Sequence, residues 1–302
     1  MVTINNTTKY HRDYPIDLMT EFTICESFAT LNSPYMVALE TPRPYGAVIG
    51  DMLKANNLIN PGLSICEVGG GYGNLMAGLL EPYSFQIDHV CMIDLSIKLL
   101  KKQKDRLKKW SHIVDFVNSD AMELVPALSN VDVVILNEVI GDLDTWKDID
   151  AGKLPDEVAD LVSQYKLDIP SKGTFNFNMG AVLLAEELCK KPLASFISEH
   201  SSDPLLPDDM DFLQRGLEIN GFPREIKLKE HSEFTIRFSH LVKVAQAWGR
   251  DIATGSLIDL VGIKKSPKMK FIFISHACAT EEQEIIFELL DHIREYRWLL
   301  IK

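Results

Sequence analysis

The chain has 302 residues, of which 46% are hydrophobic and 25% are charged, and its net charge is −12. This composition excludes a disordered chain, because it supplies enough apolar residues for one large domain or two ordinary ones. The negative charge disfavours loose binding to nucleic acid or to an anionic membrane surface.

The cysteines and the N-terminus bear on the compartment in which the protein works. The five cysteines are scattered and form no Cys-x-x-Cys pair, which predicts a reduced protein without a structural zinc site. The first 20 residues contain no apolar segment typical of a secretory signal. No apolar run approaches the roughly 18 residues of a membrane span. We therefore expect a cytoplasmic protein that does not enter a membrane.

The first 60 residues differ in pattern from those that follow. Residues 15–31 and 45–58 are helix-like, so we expect residues 1–60 to form an N-terminal helical segment that can act as a lid. From residue 63 onward, short apolar runs alternate with amphipathic stretches, which is the pattern of βαβ units and of a parallel sheet. Strands are predicted at 63–68, 89–94, 113–120 and 131–139, and helices at 73–80 and 96–110.

Beyond residue 139 the alternation is less regular. Helices are predicted at 154–167, 175–189 and 239–249, the last of them capped by Ser239 and ended by Gly249. Strands are predicted at 193–200, 224–238 and 269–277, and an amphipathic helix at 281–301 closes the chain. Together, these elements predict an α/β fold with a doubly wound, mostly parallel sheet. Residues 61–302 are expected to form one domain, with insertions near 142–192 and 201–225.

The stretch CEVGGGYGNL, residues 66–75, places glycines between the first predicted strand and the helix after it. In a parallel sheet a ligand binds beyond the carboxyl ends of the strands, and glycines let the backbone approach it closely. Asn74 stands where the dinucleotide fingerprint Gly-x-Gly-x-x-Gly has its last glycine, and no Gly-Lys-Ser/Thr of a P-loop follows. The carboxylate of Glu67, which precedes the glycines, would repel a pyrophosphate and suits a cationic ligand. S-adenosylmethionine carries a sulfonium and an ammonium group and no phosphate, so it fits this loop best.

Acidic and polar residues also close the next three predicted strands. Asp94 ends the second strand, where a carboxylate can accept hydrogen bonds from both ribose hydroxyls, although alone it could equally cap the following helix. Asp120 ends the third strand and can accept from the adenine amino group, with Ala121 packing near the ring. Asn137 and Glu138 end the fourth strand, next to the position of the transferable methyl group. The four strand ends, taken in order, predict one crevice that holds the cofactor.

The pattern Glu-x-Gly-x-Gly-x-Gly after a strand resembles that of class I methyltransferases, and three segments resemble one branch of them. These segments are ICEVGGGYGNLMAGLL, IDLSIKLLKKQKDRL and LNEVIGDL, which are similar to the MidA-type methyltransferases. That family includes a mitochondrial complex I assembly factor that methylates arginine in a protein. The residues that match the family motifs are Glu67, Gly69, Gly71, Gly73, Leu75, Asp94, Ser96, Asn137 and Glu138.

The resemblance implies a seven-stranded, mostly parallel, Rossmann-like sheet that binds S-adenosylmethionine and releases S-adenosylhomocysteine. It also implies that the acceptor is an arginine side chain of a protein. With the strand ends, it gives the predicted cofactor-binding residues Glu67, Gly69, Gly71, Tyr72, Gly73, Asp94, Leu95, Asp120, Ala121 and Asn137. The chain departs from the family pattern at Gly141, where the family has an aspartate, and at Asp144, where it has a proline.

Two acids are the candidates for catalysis. Methyl transfer from a sulfonium is an in-line displacement, in which the enzyme aligns the acceptor and, for a protonated nitrogen, helps to remove the proton. Glu138 is the first candidate, because a carboxylate there could hold a guanidinium through two hydrogen bonds; its alternative role is to support the cofactor or the loop. Asp142 is the second, although GDLDTW is also typical of an ordinary turn. Residues 196–203 either border the acceptor pocket or form a capped loop.

Other partners and functions follow from the same residues. The histidines lack His-x-x-x-His spacing, so we expect no metal site. We expect a protein substrate, no nucleic acid or membrane partner, and a chain that can form a homodimer. Two other functions stay open. One is a cofactor-binding assembly protein without turnover, which the altered NEVIGDLDTW motif favours; the other is a dinucleotide oxidoreductase, against which Glu67 and the missing last glycine argue.

Overall fold

The structure is a computed structural model that describes residues 3–5, 7–13, 22–217, 219, 221–228 and 231–302. The strands within these ranges are β1 (Thr3–Ile4), β2 (Leu63–Val68), β3 (Ile87–Asp94), β4 (Val114–Asn118), β5 (Val133–Asn137), β6 (Trp146–Asp150), β7 (Thr174–Phe177), β8 (Ala194–His200), β9 (Glu225–Lys227), β10 (Ser232–Phe234), β11 (Ile252–Ser256) and β12 (Tyr296–Ile301). The helices are α1 (Thr7–Asp13), α2 (Ile24–Ser27), α3 (Tyr45–Ala55), α4 (Asn74–Tyr83), α5 (Ile97–Arg106), α6 (Ala121–Leu124), α7 (Asp156–Tyr165), α8 (Met179–Cys189), α9 (Phe238–Ala247), α10 (Leu257–Val261), α11 (Pro267–Ser275) and α12 (Glu281–Ile293). In the part of the chain described, no helix has both the length and the apolar character to cross a bilayer.

Seven strands form the main sheet in the order β11-β12-β8-β5-β2-β3-β4. The five strands from β8 to β4 run parallel, and β12 is antiparallel to both of its neighbours. After β2 the chain builds outward through β3 and β4, then crosses to β5 and builds the other way. The prediction of a doubly wound, mostly parallel, seven-stranded sheet is confirmed. The strand order reverses between β2 and β5, which is where such sheets bind their ligands.

Helices cover both faces of this sheet. All five residues of β5 are buried, with Val133 and Ile135 in the hydrophobic cluster of one face and Val134 and Leu136 in that of the other. The first cluster includes side chains of α3, α4, α10 and α12, and the second those of α7, α8 and α9. Burial on both faces explains why the fourth predicted strand is a continuous apolar run rather than an alternating one.

Helices α3 and α4 approach each other closely through two glycines. A methyl group at Gly46 would lie 1.8 Å from the carbonyl oxygen of Leu75, and the Cα of Gly46 lies 3.3 Å from the position of a methyl group at Gly78. This contact places the N-terminal segment against the helix that follows the glycine loop.

The close approach predicts that Gly46→Ala destabilises the fold. Because the obstacle is backbone rather than a flexible side chain, the helices must separate, and overpacking of this kind costs about 1–3 kcal/mol or more. Urea unfolding measures the change in the free energy of unfolding. The matched control is Gly152→Ala, in an exposed turn where the nearest atom to the new methyl group is 3.4 Å away. Equal free energies for the two variants would contradict the prediction.

Two small β-structures lie outside the main sheet. One has the order β1-β6-β7, and the other is the antiparallel hairpin β9–β10. Helix α1 is the next element after β1, and its Thr7 hydroxyl donates to the carbonyl of Ser232 in the hairpin. The N-terminal helix and the hairpin are therefore in contact.

The strand predicted at 269–277 is wrong, because this segment is helix α11. Ser266 caps the helix by accepting a hydrogen bond from the backbone N–H of Met269, 3.1 Å away, and Pro267 occupies its first turn. Met269, Ile272 and Phe273 are buried while Phe271 is 66% exposed, which is the three-to-four-residue period of a helix. Because most residues of this run are apolar, the helical period could not be recognised from hydrophobicity alone.

The helix predicted at 281–301 is right only in its first part. Helix α12 ends at Ile293, and residues Tyr296–Ile301 form β12, the antiparallel strand of the main sheet. These residues form a strand because they are buried between β8 and β11. Pairing with strands that are distant in the sequence cannot be deduced from the local pattern.

Three further predictions need correction. The segment 175–189 begins with strand β7 before helix α8, and 224–238 forms the short hairpin β9–β10 rather than one strand. Helix α9 begins at Phe238, so Ser239 is not its cap. The carboxylate of Asp203 accepts the backbone N–H groups of Phe238 and Ser239, both at 2.8 Å, and caps the helix from a distant loop.

The helix-like stretch 15–31 is described only in part. Residues 15–21 lie outside the described residues, and the only helix in the rest of the stretch is the short α2.

Candidate functional site

A cavity of about 570 Å³ opens at the carboxyl ends of β2, β3 and β5. Its walls include the glycine loop, the residues after β3 and β4, the N-terminal segment and the β9–β10 hairpin. Of the residues that the sequence predicts for the site, Gly69, Gly71, Asp94, Leu95, Asp120, Ala121, Glu138 and Asp142 line it. Glu67, Tyr72, Gly73 and Asn137 lie next to these residues but do not line the cavity.

The glycine loop presents its backbone to the cavity. Gly69 and Gly71 both have positive φ angles, 65° and 52°, which favour glycine over residues with a side chain. A methyl group at Gly69 would lie 2.3 Å from a methyl carbon of Val139, so the loop is packed against the end of β5. Gly73, with φ of 82°, ends the loop as the N-cap of α4 and faces α5 rather than the cavity.

Glu67 lies beneath the loop and not in the cavity. It is 2% exposed, it accepts a hydrogen bond from the backbone of Met76, and its Oε2 atom has no hydrogen-bond partner among the described residues. Burial, and then the charge of Asp94, raises the pKa of Glu67 to about 8. At neutral pH the side chain is therefore mostly neutral. The carboxyl group thus lies beneath the loop, close to Gly70, rather than on the wall of the cavity.

The raised pKa predicts how Glu67→Gln changes stability with pH. The folded chain keeps this proton up to about pH 8, while the unfolded chain releases it near pH 4.5, so the stabilisation by the neutral side chain is full below pH 4.5 and is lost as pH rises to 8. Glutamine resembles the neutral form and loses nothing. We expect the variant to gain up to about 4 kcal/mol over the wild type between pH 5 and 8, measured by urea unfolding. Exposed Glu40→Gln is the control, and a gain independent of pH would contradict the pKa.

Asp94 lines the cavity with its carboxylate held in place. Its Oδ1 accepts the backbone N–H of Ser96 and its Oδ2 accepts the amide of Gln103, both at 2.8 Å. Burial raises the pKa of Asp94 to about 6. The N-cap of α5 is Ser96, whose hydroxyl accepts the N–H of Leu99, so the alternative role of Asp94 as the helix cap does not hold. Each oxygen keeps a lone pair that a ribose hydroxyl could use.

Gln103 is a site residue that the sequence reasoning missed. Besides Asp94, its amide donates to the carbonyl of Gly71 at 3.1 Å, so it ties the glycine loop to the end of β3. It is fully buried on the face of α5 that also carries Leu99 and Leu100. A polar residue on the apolar face of a helix was the signal that could have identified it.

The residues around the predicted adenine position are engaged with the rest of the protein. Asp120 is the N-cap of α6, and its second oxygen lies 3.0 Å from the guanidinium of Arg12 on α1. Tyr72 lies outside the cavity, with the amino group of Lys102 5.1 Å from the centre of its ring. Through this ion pair, helix α1 contacts the segment that follows β4.

Glu138 connects the sheet to the N-terminal segment. Its φ of 53° is unusual for a residue with a side chain. Both carboxylate oxygens lie 3.1 Å from the backbone N of Ile24 at the start of α2, and they also accept from the Tyr296 hydroxyl at 2.7 Å and the Asn137 amide at 3.0 Å. Burial raises the pKa of Glu138. Its oxygens are thus largely occupied by protein donors, as in the alternative supporting role.

Asp142 lines the cavity, near enough to Asp94 for the two charges to interact, among groups that the sequence reasoning did not assign. Its Oδ1 is 3.0 Å from Nε2 of His11 on α1. Glu199 at the end of β8 and Glu233 on β10 line the same region. Burial, followed by the charges of Glu233, Glu138 and Asp142, raises the pKa of Glu199 well above its ordinary value. We call Asp142, Glu199 and Glu233 the acidic group.

Both alternatives stated for residues 196–203 have a counterpart in the structure, because two of these residues line the cavity and Asp203 caps α9 from a loop. Glu199 and His200 line the cavity, and Glu199 accepts the backbone N–H of Gly141 at 3.2 Å. His11 and Glu233 carried no local signal, since they are 222 positions apart in the sequence (233 − 11).

Comparisons with known proteins find counterparts of this domain and of this fold. Residues 65–162, from β2 into α7, match the family described as methyltransferase domain. An uncharacterised protein from Burkholderia thailandensis has a similar structure over 92% of this chain and 82% of its own, with a TM-score of 0.54 and 13% identity. A second member of its superfamily from that organism, bound to S-adenosyl-homocysteine, is similar over 91% of this chain and 78% of its own, with a TM-score of 0.54 and 15% identity.

The fold is that of the class I methyltransferases. It differs from the dinucleotide-binding fold, in which the sixth strand lies directly beside the fifth, because the antiparallel β12 lies between β8 and β11. No curated protein sequence matches the chain. Within the methyltransferase fold, the glycine loop and the ends of β3 and β4 form one half of the cavity, and the acidic group forms the other.

Proposed function

We propose that the chain is an S-adenosylmethionine-dependent methyltransferase whose acceptor is a basic nitrogen. The observation that carries the cofactor is the crevice at the reversal of strand order, with the backbone of Gly69 and Gly71 on one side and the buried carboxylate of Asp94 on the other. The methyltransferase domain match and the structural neighbour bound to S-adenosyl-homocysteine support it. When bound, the cofactor would supply an electrophilic methyl group on a sulfonium.

The nature of the acceptor follows from the acidic group. Burial, and then the charges of neighbouring carboxylates, raises the pKa of Glu199 and of Glu233, so a positive charge placed here would stabilise their ionised forms. A protonated amine or a guanidinium meets this requirement, and a phosphate or carboxylate does not. The MidA-type resemblance makes the guanidinium of an arginine side chain the first acceptor to test.

Different residues of the chain have different roles in the proposed methyl transfer. A carbon–nitrogen bond forms as the carbon–sulfur bond breaks, and the acceptor nitrogen must lose one proton. Asp142 is the group that we assign to take it, because its carboxylate lines the cavity and follows the end of β5. Glu138 is a positioning residue in this proposal, since it holds the start of α2 against the cavity.

A second function has one observation in its favour. The acid that the family motif places nearest the methyl group, Glu138, has its oxygens occupied by Ile24, Tyr296 and Asn137. An assembly protein that binds the cofactor without turnover would have this arrangement too. Formation of S-adenosylhomocysteine separates the two functions.

The test has two stages. Calorimetric titration with S-adenosylmethionine, S-adenosylhomocysteine and NAD, after removal of carried-over ligand, should show binding of the first two and none of NAD. The protein is then incubated with methyl-labelled cofactor and a panel of free arginine, an arginine-containing peptide, primary amines and, as negative acceptors, hydroxy acids. Label in a guanidino or amino compound supports the proposal. Binding without transfer to any compound favours the assembly protein, and binding of NAD alone overturns both.

A further inference from the structure

Three side chains on the acidic side of the cavity have the composition of a metal site. His11 on α1 and His231 and Glu233 in the β9–β10 hairpin each offer a ligand atom, and these atoms all lie within 4.8 Å of one another. Nε2 of His231 is 3.3 Å from Oε1 of Glu233. Two ligands of a tetrahedral ion with bonds of about 2.0–2.1 Å are roughly 3.3 Å apart. The spacing of this pair matches that of two ligands on one ion.

The surroundings hold both imidazoles in place. The side chains of His231 and His11 are only 3% and 11% exposed. The ring of Tyr10 stacks on that of His231, with the ring centres 4.5 Å apart and the planes 13° from parallel. Asp142 lies 3.0 Å from Nε2 of His11, and a carboxylate beside a ligating histidine is the usual outer partner at metal sites.

We propose that His11, His231 and Glu233 bind a divalent transition-metal ion, with zinc the best match to two imidazoles and one carboxylate. The ion joins α1 to the hairpin, and both of these segments line the cavity. It therefore fastens the N-terminal helix across the acidic side of the site. Asp142 and Glu199 remain for the acceptor.

This proposal replaces the expectation that the chain has no metal site. That expectation was based on the spacing of histidines along the sequence, whereas these ligands come from positions 11, 231 and 233 and meet only after folding. The binding of the ion does not depend on methyl transfer, so its test stands if the proposed function fails.

Metal analysis of the tag-free chain tests the proposal. The protein is dialysed against a chelator, incubated with excess Zn²⁺ and desalted. We expect about one zinc per wild-type chain and loss of most of it in His231→Ala and in the isosteric Glu233→Gln. The matched control is the exposed His112→Ala, which should retain the metal. No zinc in the wild type, or equal zinc in all four proteins, would overturn the proposal.

A second measurement tests whether the bound ion holds α1 in place. Hydrogen exchange of the backbone N–H groups in 7–13 should slow at least several-fold when Zn²⁺ is added to the wild type and should not change in Glu233→Gln. If Glu233→Gln does not fold, the wild type is titrated with Co²⁺, whose visible absorption should show nitrogen and oxygen ligands. Zinc binding without protection of α1, or a Co²⁺ spectrum of the fully hydrated ion, would place any bound metal elsewhere.

Discussion

Replacing Asp94 with alanine should weaken the binding of S-adenosylmethionine at least about tenfold. The carboxylate would accept two hydrogen bonds from the ribose, each worth roughly 1.5–3 kcal/mol, and water restores part of this loss. Calorimetric titration measures the dissociation constant. The matched control is Asp88→Ala, at the exposed opposite end of the same strand, which should bind like the wild type.

The same residue predicts a dependence on pH. Burial raises the pKa of Asp94 to about 6, and only the ionised form accepts from both hydroxyls. Affinity should therefore be full above pH 6 and fall as pH drops through 6, by up to about tenfold at pH 5. Asp94→Ala should show no such fall. Identical pH profiles for variant and wild type would mean that the ribose lies elsewhere in the cavity.

Replacing Asp142 with asparagine should lower kcat by at least about 100-fold while the cofactor dissociation constant changes less than about twofold. Asparagine keeps the shape of the side chain but cannot take a proton, while the carboxylate proposed to hold the ribose is that of Asp94. The rate is measured with the acceptor that the labelled panel identifies.

The control for this variant is Asp160→Asn, an exposed carboxylate on α7. Rescue by Asp142→Glu, even in part, would support a proton acceptor over a purely structural role. If Asp142→Asn loses cofactor affinity as strongly as it loses rate, the residue belongs to the cofactor half and the division of the cavity is wrong.

Glu138 shows how far a motif can be taken without a structure. The sequence places it correctly at the end of the fourth strand and in the cavity, because that position depends only on the strand and the turn after it. The donors that occupy its oxygens come from Ile24 and Tyr296, which are 114 and 158 residues away. The sequence therefore predicts the position of Glu138 but does not decide between its two candidate roles.

The sequence by itself determined the sheet core, the glycine loop and the acids at the strand ends. These depend on period-two and helical patterns and on short turns, which act over a few residues. Only the tertiary structure decided that 267–275 is a helix and 296–301 a strand, because burial against distant elements overrides local preference there. It also decided the composition of the acceptor side, where His11, Glu199 and Glu233 meet. Contacts between residues so far apart in the chain form only when folding closes the long loops between them, and no local pattern in the sequence encodes them.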